Sequence, residues 1–131
     1  MATPKVPTPD EVRALLARGS GRNVAATSPA ATDPRLRPRM LPLTPERAGD
    51  RIARAIGGLR GWHVVGRSQG VLQATRTTRL FRFVDDVSVL LEPTAGGTTV
   101  SARSASRIGR GDLGQNRRNL AELWRGLGLA D

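Results

Sequence analysis

The chain has 131 residues, no cysteine, and a formal net charge of +10 from 21 Lys plus Arg against 11 Asp plus Glu. That length supports one modest hydrophobic core. The missing thiols exclude disulfides, thiolate metal sites and cysteine nucleophiles, and the charge favours polyanionic partners or anionic surfaces. Lys5 is the only lysine, so an arginine-biased composition accounts for the basicity as readily as a functional need does. No apolar run approaches the roughly 18 residues that a bilayer span requires, and "MATPKVPTPDEV" lacks the basic region and apolar stretch of a leader. The expectation is a soluble, cytoplasmic chain with no membrane span.

Residues 1–43 hold most of the prolines and few large apolar side chains, and read as a Pro/Ala-rich arm that cannot fold alone. Within it "TPDEVRALLARG" carries a helix signature near 9–18: Thr8 as N-cap, Pro9 at the first helical position, acids in the first turn and Gly19 as terminator. Val12, Leu15 and Leu16 would dock that helix. From Ser20 to Leu43 the proline spacing predicts extended chain and turns.

Residues 44–131 read as a single α-β-β-β-β-α domain. "TPERAGDRIARAIGGLRG" repeats the Thr-Pro opening and places Ala48, Ile52, Ala55, Ile56 and Leu59 on one helical face. Four strand-like runs follow, "WHVVGR", "GVLQATRTT", "LFRFVDDVSVLLE" and "TTVSARSASRI". Their short connections require antiparallel neighbours, hence a four-stranded meander. In the third run Phe81, Phe83, Val87, Val89 and Leu91 share one face with Asp85. A register that sets Val89 against Val100 also sets Asp85 against Ser104 and Asp86 against Arg103. The last segment reads as a helix with an Asp112 to Gln115 capping box and a stripe of Leu113, Leu120, Leu123, Trp124 and Leu127. The expected architecture is α+β, with both helices on the odd-numbered face of the third strand.

"LFRFVDDV" followed by "ARSASRIGRGDLGQNRRN" resembles an uncharacterised family of bacteria and photosynthetic eukaryotes, known as domain of unknown function 1499. Two linked motifs in order carry the likeness, over roughly residues 23–127. An Asn-Cys-Val-Ser-Ser-like stretch usual in that family corresponds here to "NVAAT", residues 23–27, with Val24 at the cysteine position. The resemblance implies a binding surface around the motif residues and no particular activity.

Gly109, Gly111 and Gly114 mimic a dinucleotide fingerprint, but no second strand with a ribose-binding acid follows them. Asp112 would also occupy the helix N-terminus that a phosphate needs. A tight strand-to-helix turn is the better reading, and no cofactor or metal is expected. Asp85 and Asp86 point to opposite faces of a strand and cannot share one ion. Asp86 is expected to pair with Arg103. Asp85, a charge among apolar neighbours, needs Ser104, Ser106, Arg107 or backbone donors, and that structural network with Asp86, Asp112 and Gln115 outweighs its alternative as the buried acid or base of an enzyme.

Arg103, Ser104, Ser106, Arg107, Asn116 and Arg117 converge on the junction of the fourth strand and last helix, a donor set suited to phosphate, sulfate or carboxylate. With a lone His63 and no Ser-His-Asp spacing, nucleophilic catalysis has little to stand on. The preferred expectation is a non-enzymatic module that binds an anionic small molecule or head group at this junction. The alternative is nucleic-acid binding through phosphate contacts alone, because Trp62, Phe81, Phe83 and Trp124 are assigned to the core and leave no stacking platform.

Overall fold

A computed structural model describes residues 6–108 and 114–130. Helix α1 (Pro9–Ala17) opens the chain, followed by strand β1 (Val24–Ala26), a 3-10 turn (Pro34–Leu36) and strand β2 (Arg39–Leu41). Helix α2 (Pro45–Gly57), strands β3 (Trp62–Ser68), β4 (Val71–Thr77), β5 (Val84–Thr94) and β6 (Gly97–Ser106), and helix α3 (Gln115–Gly126) complete it. The protein is α+β, as the sequence predicts, but its antiparallel sheet has six strands rather than four. The order is β1-β6-β5-β4-β3, and β2 also pairs with β6. The two extra strands come from the proline-rich arm. Each has three residues, too few to display a period, and each pairs along the outer edge of β6.

Local chemistry explains why the helices start where they do. Thr8 and Glu11 form a reciprocal capping box ahead of α1, and the Thr44 hydroxyl accepts the Arg47 N–H ahead of α2. Ala48, Ile52 and Ile56 of α2 and Leu120, Leu123 and Trp124 of α3 bury against Val87, Val89, Leu91, Leu72 and Ala102 of the sheet. Both helices therefore cover the odd-numbered face of β5. The arm closes this layer: Ala25, Leu36 and Leu41 enter the same core, and the Trp124 indole donates to the Arg35 carbonyl at 2.9 Å. On the opposite face α1 seats Val12 against Val71 and Leu90, with Val6 and Leu16 alongside.

Two sequence expectations need correction. The β5 to β6 pairing keeps the expected faces but lies two residues from the expected register, with Val89 opposite Ala102, Asp85 opposite Ser106 and Asp86 opposite Ala105. The cause is the turn. Thr94 pairs with Gly97, so Ala95 and Gly96 alone form the loop and Pro93 lies inside the strand. Pro93 is tolerated because its nitrogen points to the same side as the Leu91 N–H, which bonds Gly70 just ahead of β4; two residues further on there is no strand to pair with. The second correction concerns Phe81. Strand β5 begins at Val84, and residues 78–83 close into a turn through Thr78 N–H to Phe83 O at 2.8 Å and Arg82 N–H to Thr78 O at 3.1 Å. Phe81 is 69% exposed and stacks on Phe83, and neither phenylalanine belongs to the core.

Candidate functional site

The predicted junction is built around side chains that consume one another. Asp85 on β5 is 2% exposed, and its Oδ2 accepts the Asn119 amide at 2.8 Å. The same amide nitrogen donates to the Ser104 hydroxyl at 3.1 Å, and that hydroxyl donates to Asn116 Oδ1 at 2.6 Å. Asn116 in turn donates to Ser106 Oγ at 2.9 Å and to the Asn23 carbonyl at 3.0 Å. Ser104, Asn116 and Asn119 are fully buried. One polar chain thus joins β5, β6, the start of β1 and α3, with Gln115 donating to Asn119 Oδ1 at 2.8 Å. The donor to Asp85 is Asn119, where the sequence pointed to Ser104, Ser106, Arg107 or backbone N–H groups.

The arginines of the junction separate from it. Arg107 grips Asp86 through two bonds of 3.0 Å, taking the place expected of Arg103. The paired carboxylate holds the Arg107 guanidinium above its ordinary pKa. Arg117 reaches the arm, where its Nη1 lies 3.2 Å from Asp33 Oδ2. Arg103 stands on the sheet face opposite to Ser104, half-buried, with Nε enclosed and unbonded among the described residues. Burial, and secondarily the nearby Arg18, lowers its pKa. The expected capping box cannot be placed, since Asp112, like Gly109, Gly111 and Leu113, lies outside the described residues. Helix α3 opens with Gly114 at the N-cap, at φ 83°.

Positive charge collects instead at the end of the sheet where α2 turns into β3 and β4 turns into β5. A cleft of about 680 Å³ lies there, lined by Gly58–Gly61, His63, Arg76–Arg79, Arg82 and Glu122. Four guanidinium groups face one carboxylate. That carboxylate is engaged: Glu122 accepts the Trp62 indole N–H and lies 3.6 Å from Arg76 Nη2. Arg76 Nε is buried and has no hydrogen-bond partner among the described residues. Arg60, Arg79 and Arg82 are exposed and form no ion pair among the described residues. No cluster of three His, Asp or Glu side chains suited to a metal occurs among the described residues. Asp85 is enclosed and does not line this cleft.

Sequence reasoning missed Arg60, Arg76, Arg79 and Arg82 because three separate segments supply the cleft and no local spacing marks it. It missed Asn119 although a signal existed. Asn116 and Asn119 are three residues apart on the face that carries Leu120 and Leu123, and polar residues on an apolar helical stripe need buried partners.

Among known families, a model described as a protein of unknown function, DUF1499, matches residues 3–127. No curated protein and no solved structure matches the chain.

Proposed function

The chain belongs to the DUF1499 family, and we propose that this member is a non-enzymatic module that binds an anionic group, such as a phosphate, in the cleft between Gly58–His63 and Arg76–Arg82. One observation carries the reading: four arginines crowd a single cleft whose only carboxylate among the described residues, Glu122, is already engaged by Trp62 and Arg76. Like charges held together without counter-charges are destabilising, and guanidinium groups recognise phosphate through paired, charge-assisted hydrogen bonds. The cleft falls within the size range of small-molecule sites. The junction of β6 and α3 is the less suitable seat, because Arg107 and Arg117 already bind Asp86 and Asp33 and the junction's Ser104 and Asn116 are fully buried.

The test is thermal unfolding with added inorganic pyrophosphate. The wild type is expected to gain melting temperature as pyrophosphate rises. Arg60→Gln/Arg79→Gln is expected to melt at the same temperature or higher without ligand, and to lose the ligand-dependent gain. Each charge-assisted bond contributes about 1.5–3 kcal/mol, so affinity should fall at least tenfold per arginine. A wild type indifferent to pyrophosphate, or a variant that responds equally, would refute the proposal.

A further inference from the structure

One wall of the cleft is the turn between β4 and β5, and its outer side is apolar. Leu80 is 80% exposed and Phe81 69%, and Ile108 at the end of β6 is 54% exposed. Ile108 belongs to the same end of the molecule, because the Arg107 N–H beside it donates to Val84 O at the root of the turn. The exposure is built in. Thr78 closes the turn through backbone bonds, and its hydroxyl also accepts the Phe83 N–H at 2.9 Å. Arg82 adopts a left-handed conformation at φ 58°, and Phe81 stacks on Phe83 with centroids 5.5 Å apart. A non-glycine residue held at positive φ is a costly conformation that the surrounding bonds must over-determine. Here it keeps two large apolar side chains directed outward.

Arg79 and Arg82 flank those two side chains in sequence, and both line the cleft behind them. Among the described residues the acids of this end are neutralised or hidden: Asp86 pairs with Arg107, Glu122 with Arg76, and Asp85 is buried. An apolar tip ringed by unpaired arginines is complementary to the interface of a bilayer with anionic lipid. There the apolar side chains reach the acyl boundary while the cations remain at the phosphates.

We propose that the turn at residues 78–83 inserts Leu80 and Phe81 into the interface of an anionic membrane, so that the anion entering the arginine cleft is a lipid head group. This rests on the anion-binding reading of the cleft and names its ligand. Each arginine near an anionic surface strengthens partitioning about fivefold. One apolar anchor alone gives weak, reversible binding, which is why tip and charge must act together.

The experiment is co-flotation of the full chain with vesicles of phosphatidylcholine alone, or with about one-third phosphatidylglycerol, run beside the pyrophosphate melting assay. The wild type should float with the anionic vesicles only. Leu80→Ser/Phe81→Ser, changed at exposed positions, should bind them at least tenfold more weakly yet keep the full pyrophosphate response. Wild-type protein that ignores anionic vesicles, or a double variant that binds them undiminished, overturns the membrane inference and leaves the anion reading intact wherever pyrophosphate still raises the melting temperature. Loss of the pyrophosphate response in the wild type overturns both.

Discussion

Replacing Asn119 with leucine tests what holds α3 to the sheet. The two side chains share one skeleton of four heavy atoms branched at Cγ, with leucine the bulkier, so the change deletes hydrogen bonds without opening a cavity. Three bonds go: the donations to Asp85 Oδ2 and Ser104 Oγ and the acceptance from Gln115. Ser104 still donates to Asn116, so its loss is partial. Asp85, 2% exposed, loses a donor to its carboxylate, which costs about 1.5–3 kcal/mol, and the other bonds add about 1 kcal/mol. Leucine is the better helix former by about 0.5 kcal/mol, leaving a net loss near 3 kcal/mol. Trp62 and Trp124 are both buried, so fluorescence during urea unfolding reports the transition. At an m-value of about 1–3 kcal/mol/M the midpoint should drop by roughly 1 M or more. Asp85→Leu/Asn119→Leu should cost clearly less than the sum of the single variants, with a coupling of about 1.5–3 kcal/mol, since two apolar groups replace two mutually satisfied polar ones. A single variant that costs under about 0.5 kcal/mol, or strictly additive singles, would refute the network as the clamp on α3.

Three further outcomes are expected. A Cβ on Gly97 would lie 2.1 Å from the Leu41 carbonyl oxygen, whereas one on Gly96 meets nothing within 4 Å. Gly97→Ala should therefore destabilise by more than about 3 kcal/mol and Gly96→Ala by only about 1, read by chemical denaturation. Asp33 is held well below the usual carboxylate range, first by the Arg35 side chain and also by Arg117. Because the folded pKa is depressed, its contribution is present above the unfolded pKa of about 4 and fades as pH falls below it. Asp33→Asn should accordingly cost about 1 kcal/mol at neutral pH, with the gap to wild type closing in acid melts. In the cleft, Glu122→Gln keeps an acceptor for Trp62 and removes the negative charge. At separations of several ångström that repulsion is worth about 1–3 kcal/mol, and the ion pair given up in exchange is a long one, 3.6 Å from Arg76 Nη2 to Glu122 Oε2. Pyrophosphate should bind at least fivefold more tightly to this variant, and weaker binding in titration calorimetry would show that Arg76 depends on Glu122 for its position.

What the sequence made legible follows from the range of each interaction. Caps act within one turn, so Thr8, Pro9 and Glu11, and Thr44 and Pro45, located α1 and α2 without any tertiary information. Period-two alternation placed β3, β4 and the faces of β5 and β6. Register depends on where a turn closes: Pro93 in sequence signals the end of a strand, yet it lies inside β5 opposite Thr98, so the pairs shift by two while the faces stay the same. Phe81 fits the alternation of β5, yet the Thr78 bonds that fold the turn back outweigh a pattern of one residue. The three-residue strands β1 and β2 are made by the edge of β6 and by the burial of Ala25 and Leu41, interactions with partners some 60–80 positions away in the chain. The site residues divide in the same way. Arginines close in sequence suggest a site at the junction of β6 and α3, but two of them meet Asp86 and Asp33, and only the folded chain shows which cations lack a partner among the described residues.

The family motif and the cleft are nevertheless connected through α3. Asn116, Asn119 and Glu122 follow at three-residue intervals, which on a helix keeps them on neighbouring positions of one face. The first two bond the sheet through Ser104, Ser106 and Asp85; the third meets Trp62 and Arg76 on the central-to-edge strands β4 and β3. Fully satisfied buried polar networks fix orientation more sharply than apolar contact, because a slip of one residue would strand every member. The Asp-Asp and Arg-Ser-x-Ser-Arg segments therefore need not touch a ligand to matter for one. They set the rotation and height of α3 on the sheet, and that setting decides where Glu122 stands and which way Arg76 can point. In this arrangement the polar side chains of the motif position α3, and Glu122, one helical turn beyond Asn119, stands in the proposed cleft with Arg60, Arg76, Arg79 and Arg82.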